Sequence, residues 1–129
     1  MRLRTDPNSE LLSERVLAAL AADNPEPRAP LSIVLDNSRS MLTDNRLGHL
    51  TEALPILRQS LLNDALAAKR VEISVSSISP LKVHCDFVPP DNFLTPQLTP
   101  GPETPLGAAM TDALQRVRKR VQLHHANGL

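Results

Sequence analysis

The residues best suited to chemistry are a carboxylate and two hydroxyls that follow the first apolar segment. Asp36, Ser38 and Ser40 stand in the order Asp-x-Ser-x-Ser directly after LSIVL. Their oxygens are hard ligands that suit Mg²⁺ or Mn²⁺ rather than zinc or copper. In open α/β sheets, ligands bind in the loops at the carboxyl ends of strands. The spacing therefore predicts a candidate divalent-metal site.

The same residues also fit a simpler interpretation. Asp and Ser between a strand and a helix commonly form a turn and cap the helix that follows. The motif by itself leaves both interpretations open.

Hydrophobic periodicity predicts the elements that position this loop. We expect an α/β fold with a three-stranded mixed sheet, in which the last two strands form a hairpin. Pro55 lies inside the first long helix, so we expect a kink there or a helix start near Thr51. The predicted strands cover residues 31–36, 69–79 and 81–88, the predicted helices cover 46–68 and 105–125, and a loop covers 89–105.

An N-terminal unit is expected to precede this domain. Residues 9–22 have the apolar spacing of an amphipathic helix, and residues 24–30 carry three prolines that favour an extended linker. We therefore divide the chain into residues 1–30, a helix with a Pro-rich linker, and residues 31–129, the α/β domain.

Composition narrows the classes of partner. The formal net charge is zero and aromatic residues make up 2% of the 129 residues, which argues against nucleic-acid binding by bulk charge or by base stacking. No segment approaches the ~20 apolar residues of a membrane span. The single Cys85 cannot form an internal disulfide, and no secretory signal is evident, so we expect a cytoplasmic protein.

Two segments carry a resemblance to a known family. LSIVLDNSRSM resembles the metal-ion-dependent adhesion motif of von Willebrand factor type A domains, in which an apolar strand ends in Asp-x-Ser-Gly-Ser-Met. GPETPLGAAMTDAL, residues 101–114, resembles the second metal loop of that family. The chain is most similar in style to small stand-alone bacterial domains of this type, including those associated with tellurite resistance.

The resemblance implies a Rossmann-like three-layer fold and a set of ligands. Asp36, Ser38 and Ser40 match the first motif, and Thr104 matches the second. In the family, such residues hold a divalent cation, and an acidic side chain of a partner protein completes its coordination. Arg39 and Met41, beside the ligands, would then contact that partner.

The sequence departs from the family in two ways. Arg39 stands where the family has Gly, and its positive charge beside the site would repel a cation. The family's later strand, which ends in the last metal-binding Asp, has no counterpart in residues 31–129, so we expect a partial domain with an incomplete site. The strand over residues 31–36 would then have an unpaired edge, which favours a homodimer or a hetero-complex.

These observations predict a non-enzymatic protein–protein interaction module with a site for Mg²⁺ or Mn²⁺. One alternative is a small Mg²⁺-dependent phosphoryl-transfer enzyme that uses Asp36. Another is an inert assembly component in which the motif survives only as a turn.

The last predicted helix carries basic residues and two histidines, to which we assign no function. Arg116, Arg118, Lys119 and Arg120 are expected to form a solvated helix face. His124 and His125 are expected to be fraying C-terminal residues.

Overall fold

The computed structural model describes residues 23–102 and 106–129. None of the described helices is long and apolar enough to cross a membrane. The predicted helix over residues 9–22 lies outside the described residues. The elements are β1 (Ala29–Leu35), a 3-10 segment (Arg39–Asn45), α1 (Arg46–Asn63), α2 (Ala65–Arg70), β2 (Val71–Ile78), β3 (Leu81–Val88), a short 3-10 turn (Pro90–Asn92) and α3 (Leu106–Ala126).

The three strands form one mixed sheet in the order β1-β2-β3. β1 pairs with β2 in parallel, with Ile33 opposite Val75. β2 pairs with β3 antiparallel, and the hairpin turns through a cis peptide bond between Ser79 and Pro80. The predicted α/β class and the three-stranded mixed sheet are confirmed. β1 begins at Ala29, so the last two residues of the predicted linker belong to the strand.

Helices cover the two faces of this sheet. The apolar face carries Ile73 and Val75, both without measurable exposure, and they pack with Leu54 of α1 and with Phe93 in one core cluster. α3 packs over β1 and β2 on the opposite face. Because side chains alternate along β2, its odd-numbered residues face α1 and its even-numbered residues face α3.

The helical region between β1 and β2 differs from the prediction. α1 runs from Arg46 to Asn63 through Pro55, so of the two expected outcomes the late start near Thr51 is wrong. The chain breaks instead at Asp64, whose side chain accepts hydrogen bonds from two backbone N–H groups of α2. This local cap restarts a helix where propensity alone predicts a continuous one.

The face of the sheet under α3 contains a buried ion-pair cluster. Arg120 donates from both Nε and Nη2 to the carboxylate of Glu72, and His124 Nε2 lies 2.5 Å from Glu72 Oε1. The side chains of Glu72 and His124 are 7% and 4% exposed. The interpretation of Arg120 as a solvated residue and of His124 as a frayed end is therefore wrong, because both side chains turn from α3 towards the sheet and bind Glu72 of β2.

Candidate metal site

The three motif side chains converge at the carboxyl end of β1. The Ser38 hydroxyl donates to Asp36 Oδ1 at 2.6 Å, and Ser38 Oγ lies 3.0 Å from Ser40 Oγ. One carboxylate oxygen and two hydroxyl oxygens thus form a continuous chain of hard donors. Ser38 is 1% exposed, whereas Asp36 and Ser40 are exposed, so the group opens towards solvent on one side.

Asp36 is the charged member of the group. Hydrogen bonds from the Ser38 hydroxyl and the Ser38 backbone N–H lower the pKa of Asp36 below its usual value, although burial acts in the opposite direction. The carboxylate is therefore ionised at neutral pH. An ionised carboxylate beside two neutral hydroxyls gives the donor set a single negative charge.

The turn-and-cap interpretation is correct only in part. The Ser38 N–H donates to Asp36 Oδ1 at 2.9 Å, which is the bond of an Asx turn. Ser38 occupies the N-cap position of the 3-10 segment, but its side chain makes no cap hydrogen bond. Its hydroxyl faces the other two motif oxygens instead.

Asn37 holds the motif loop in place, and the sequence analysis did not single it out. Its side-chain amide donates to the carbonyl oxygens of Ser79 and Thr99 at 2.8 and 2.9 Å. Its Oδ1 accepts from the backbone N–H of Ser79 at 2.8 Å. Asn37 is 3% exposed, and these bonds join the motif loop to the β2–β3 turn and to the later loop. The sequence gives no signal that an Asn beside a candidate ligand will contact residues 42 and 62 positions away.

The segment that precedes Thr104 also pairs with the motif loop. The Gly101 N–H donates to the Asn37 carbonyl at 2.8 Å, and the Arg39 N–H donates to the Gly101 carbonyl at 3.0 Å. A Cβ on Gly101 would lie 2.1 Å from the carbonyl oxygen of Ser79, so this close approach needs glycine. Thr104 itself lies outside the described residues, and its predicted role as a ligand stays a prediction.

The two predicted partner-contact residues flank the exposed oxygens. Arg39 is exposed, and Met41 is half-buried. Both belong to the 3-10 segment, and the Met41 N–H donates to the Ser38 carbonyl at 2.9 Å. The structure therefore places a long cation and a flexible apolar side chain next to the candidate ligands.

The donor set determines which ions fit. Within residues 23–102 and 106–129, no three His, Cys, Asp or Glu side chains cluster closely enough to hold a metal ion. The three convergent oxygens include two hydroxyls, a set that suits a hard cation that keeps several waters, such as Mg²⁺. The residues fit such an ion in ligand type. The Asp36 carboxylate would neutralise one of the two positive charges of the ion.

Comparisons with known proteins identify no related protein or family. A scan against protein-family models, a search of curated proteins and a search of solved structures each give no match.

Proposed function

We propose that this protein is a non-enzymatic protein–protein interaction module that binds a partner through a divalent cation at the motif loop. Asp36, Ser38 and Ser40 would hold Mg²⁺ or Mn²⁺, with Thr104 as a further ligand. The observation that carries this proposal is the convergence of Asp36 Oδ1, Ser38 Oγ and Ser40 Oγ within hydrogen-bond distance at the end of β1.

The charge balance of the loop suggests how a partner is recognised. One carboxylate leaves a divalent cation under-neutralised, and the exposed side of the group allows a further ligand to approach. The ion would supply the positive charge that draws in an acidic side chain of the partner. Arg39 and Met41 would then contact that partner, Arg39 by charge and Met41 by an adaptable apolar surface.

The proposed fold is that of a partial von Willebrand factor type A domain. The proposed location of the protein is the cytoplasm. The support is the strand order, the parallel β1–β2 pair and the position of the motif directly after β1. The zero net charge supports a partner other than nucleic acid or an anionic membrane surface.

The second proposed contact is the free edge of β1. In the described part of the chain, β2 is the only strand that pairs with β1, so one side of β1 has no strand beside it. Leu31 on this strand is 37% exposed. An unpaired strand with apolar side chains favours pairing with another chain, either a second copy or a different protein.

Calorimetric titration with MgCl₂ and with MnCl₂ tests the metal site. We expect saturable binding with a dissociation constant on the order of 10⁻³ M, because weakly charged oxygen sites bind hard cations weakly. Ser38→Ala should abolish it, whereas Ser60→Ala, on the exposed side of α1, should leave it unchanged. Equal binding by wild type and Ser38→Ala would contradict the site.

Asp36→Ala separates the proposal from its alternatives. Loss of partner binding with an unchanged fold supports the interaction module. Loss of a phosphatase-type turnover supports the enzyme, and no effect on either property supports the inert component.

Sedimentation tests the edge contact separately. We expect the chain to associate at micromolar concentration, and Leu31→Lys should shift it towards monomer because a charge on an edge strand opposes pairing. Leu94→Lys is the matched control, since Leu94 is 81% exposed and lies outside the strands. A compact wild-type monomer would rule out a homodimer.

A further inference from the structure

A polar cavity lies beside the β2–β3 turn, next to the motif loop. It has a volume of about 280 Å³. A single water needs about 10–15 Å³ of such space, so the cavity admits an organic ion of several heavy atoms. Nine residues line it, and none of them is acidic: Asn37, Ser77, Ser79, Pro80, Lys82, His84, Gln97, Leu98 and Thr99.

The charged groups of this cavity come from one strand. Lys82 and His84 both belong to β3, and both line this cavity. Ser77 is 2% exposed, and its Oγ lies 2.8 Å from His84 Nε2, which fixes the imidazole ring. Among the described carboxylates, none forms an ion pair with Lys82 or His84.

No described carboxylate therefore lies within ion-pair distance of the positive charge here, and none lines the cavity. Burial first, and then the Lys82 ammonium, lower the pKa of His84 below its usual value. A lining of amide, hydroxyl, ammonium and imidazole groups without a carboxylate favours a ligand that brings negative charge with it.

We propose that this cavity binds a small organic oxyanion, a phosphate monoester or a carboxylate, with Lys82 and His84 as its cationic contacts. Gln97 offers a further N–H donor, and Pro80 and Leu98 offer apolar surface for the carbon skeleton of the ligand. The cavity uses none of the three candidate metal ligands, so the proposal holds whether or not the motif loop binds a cation.

Binding should become tighter as the pH falls. The groups that line the cavity around His84 are Lys82 from β3, Ser77 from β2 and the uncharged residues 97–99 from the loop. Since no acidic group there titrates, protonation of His84 adds positive charge to the site. By linkage, the bound anion must in turn raise the pKa of His84.

The experiment uses the full, untagged chain in metal-free buffer and three matched probes. These are glycerol 3-phosphate, glycerate and neutral glycerol, each followed by NMR of backbone amides and imidazoles at about pH 5 and about pH 7.5, the lower value lying well below an ordinary histidine pKa. We expect one or both anions to shift the amides of Lys82, His84 and Thr99. Glycerate stays ionised over this range and should bind at least threefold tighter at the lower pH, whereas a phosphate monoester itself gains a proton at about pH 6. Which anion binds identifies the oxyanion class.

Variants locate the binding. Lys82→Met should weaken it about tenfold or more, because it removes a charge-assisted contact and keeps the apolar stem. His84→Gln should remove the pH dependence of glycerate binding. Lys69→Met is the control, since Lys69 precedes β2 at the end of the strand opposite to Ser77.

Four results would overturn the proposal. The first is that neither anion shifts these resonances, and the second is that glycerol shifts them equally. The third is that Lys82→Met binds like the wild type while its amide spectrum shows an intact fold. The fourth is that inorganic phosphate, added as a further probe, binds as tightly as glycerol 3-phosphate, because the carbon skeleton then contributes nothing.

Discussion

The side chain of Asn37 and the backbone of Ser79 bind each other reciprocally, with Asn37 Nδ2 donating to the Ser79 carbonyl and Asn37 Oδ1 accepting from the Ser79 N–H, both at 2.8 Å. The two residues are 42 positions apart in the sequence. This pair connects the candidate metal loop to the turn between β2 and β3, and it is buried.

Asn37→Ala should therefore destabilise the fold by about 3 kcal/mol, because it removes three hydrogen bonds to the backbones of Ser79 and Thr99, two of them buried. Urea unfolding followed by circular dichroism measures this change. Asn92→Ala, at an exposed position, is the control and should change stability by less than about 0.5 kcal/mol. Similar midpoints for the two variants would contradict the role of Asn37.

Gly101→Ala should also destabilise, by about 3 kcal/mol or more. Its new Cβ would meet the Ser79 carbonyl oxygen at 2.1 Å, and that oxygen belongs to the backbone, so it cannot move aside as a flexible side chain could. Gly107→Ala is the matched control, since nothing lies within 4 Å of the new methyl group and the position is in the first turn of α3. The control should be neutral or up to about 1 kcal/mol more stable. Equal thermal midpoints for both variants would show that the close approach is absent.

Glu72→Ala should destabilise by about 3–5 kcal/mol, because it leaves the buried side chains of Arg120 and His124 without their acceptor. Asp112→Ala removes the half-exposed partner of Arg116 and should cost less than about 1 kcal/mol. Chemical unfolding of both variants gives the comparison. A small effect at Glu72 would mean that the cluster contributes little in solution.

The same cluster predicts a pH dependence. Burial alone would raise the pKa of Glu72, but hydrogen bonds and charges from Arg120 and His124 outweigh it and lower that pKa below 4.5. A lowered carboxyl pKa stabilises the fold above the ordinary value, and this contribution is lost as the pH falls through the folded-state pKa. Stability of the wild type should therefore fall below about pH 4.5, and Glu72→Gln should flatten that acid limb. Parallel curves for the two proteins would contradict the assignment.

Substituting alanine for two serines on the α3-facing side of β2 should change stability in opposite directions. Ser76 Oγ is buried without a hydrogen-bond partner among the described residues, whereas Ser74 Oγ donates to the Cys85 carbonyl at 3.1 Å. Ser76→Ala should stabilise by about 0.5–1 kcal/mol, because it removes a buried unpaired hydroxyl. Ser74→Ala should destabilise by about 1 kcal/mol. Thermal unfolding checks the sign, and a loss of stability in Ser76→Ala would reveal a hydroxyl partner.

Arg39→Gln should tighten Mg²⁺ binding about threefold, because it removes a positive charge next to the proposed ligands. Arg39→Lys keeps the charge and should bind like the wild type. Calorimetry at low ionic strength shows the difference, since salt screens an exposed charge. If Arg39→Gln is unchanged while Ser38→Ala loses binding, the site stands, and Arg39 points away from the ion.

The elements of the α/β domain could be predicted because each has a local signal. Alternation predicted β2, β3 was predicted over residues 81–88, and helical spacing predicted α3 within one residue of its observed bounds. The break at Asp64 was not predicted, since a cap competes with a continuous helix by only about 1 kcal/mol. The Asp-x-Ser-x-Ser spacing likewise indicated which three oxygens belong together, because alternate residues of one short loop cannot separate far.

Only the tertiary structure decided what surrounds these elements. The sequence by itself determined the α/β class, the order of the strands along the chain and the loop with its three oxygens. The fold decided that Asn37 binds Ser79, that Arg120 and His124 of α3 bind Glu72 of β2, and that Lys82 and His84 line a common cavity. Periodicity reports which face of an element is apolar, whereas a polar contact between residues tens of positions apart depends on where the packed sheet places their backbones.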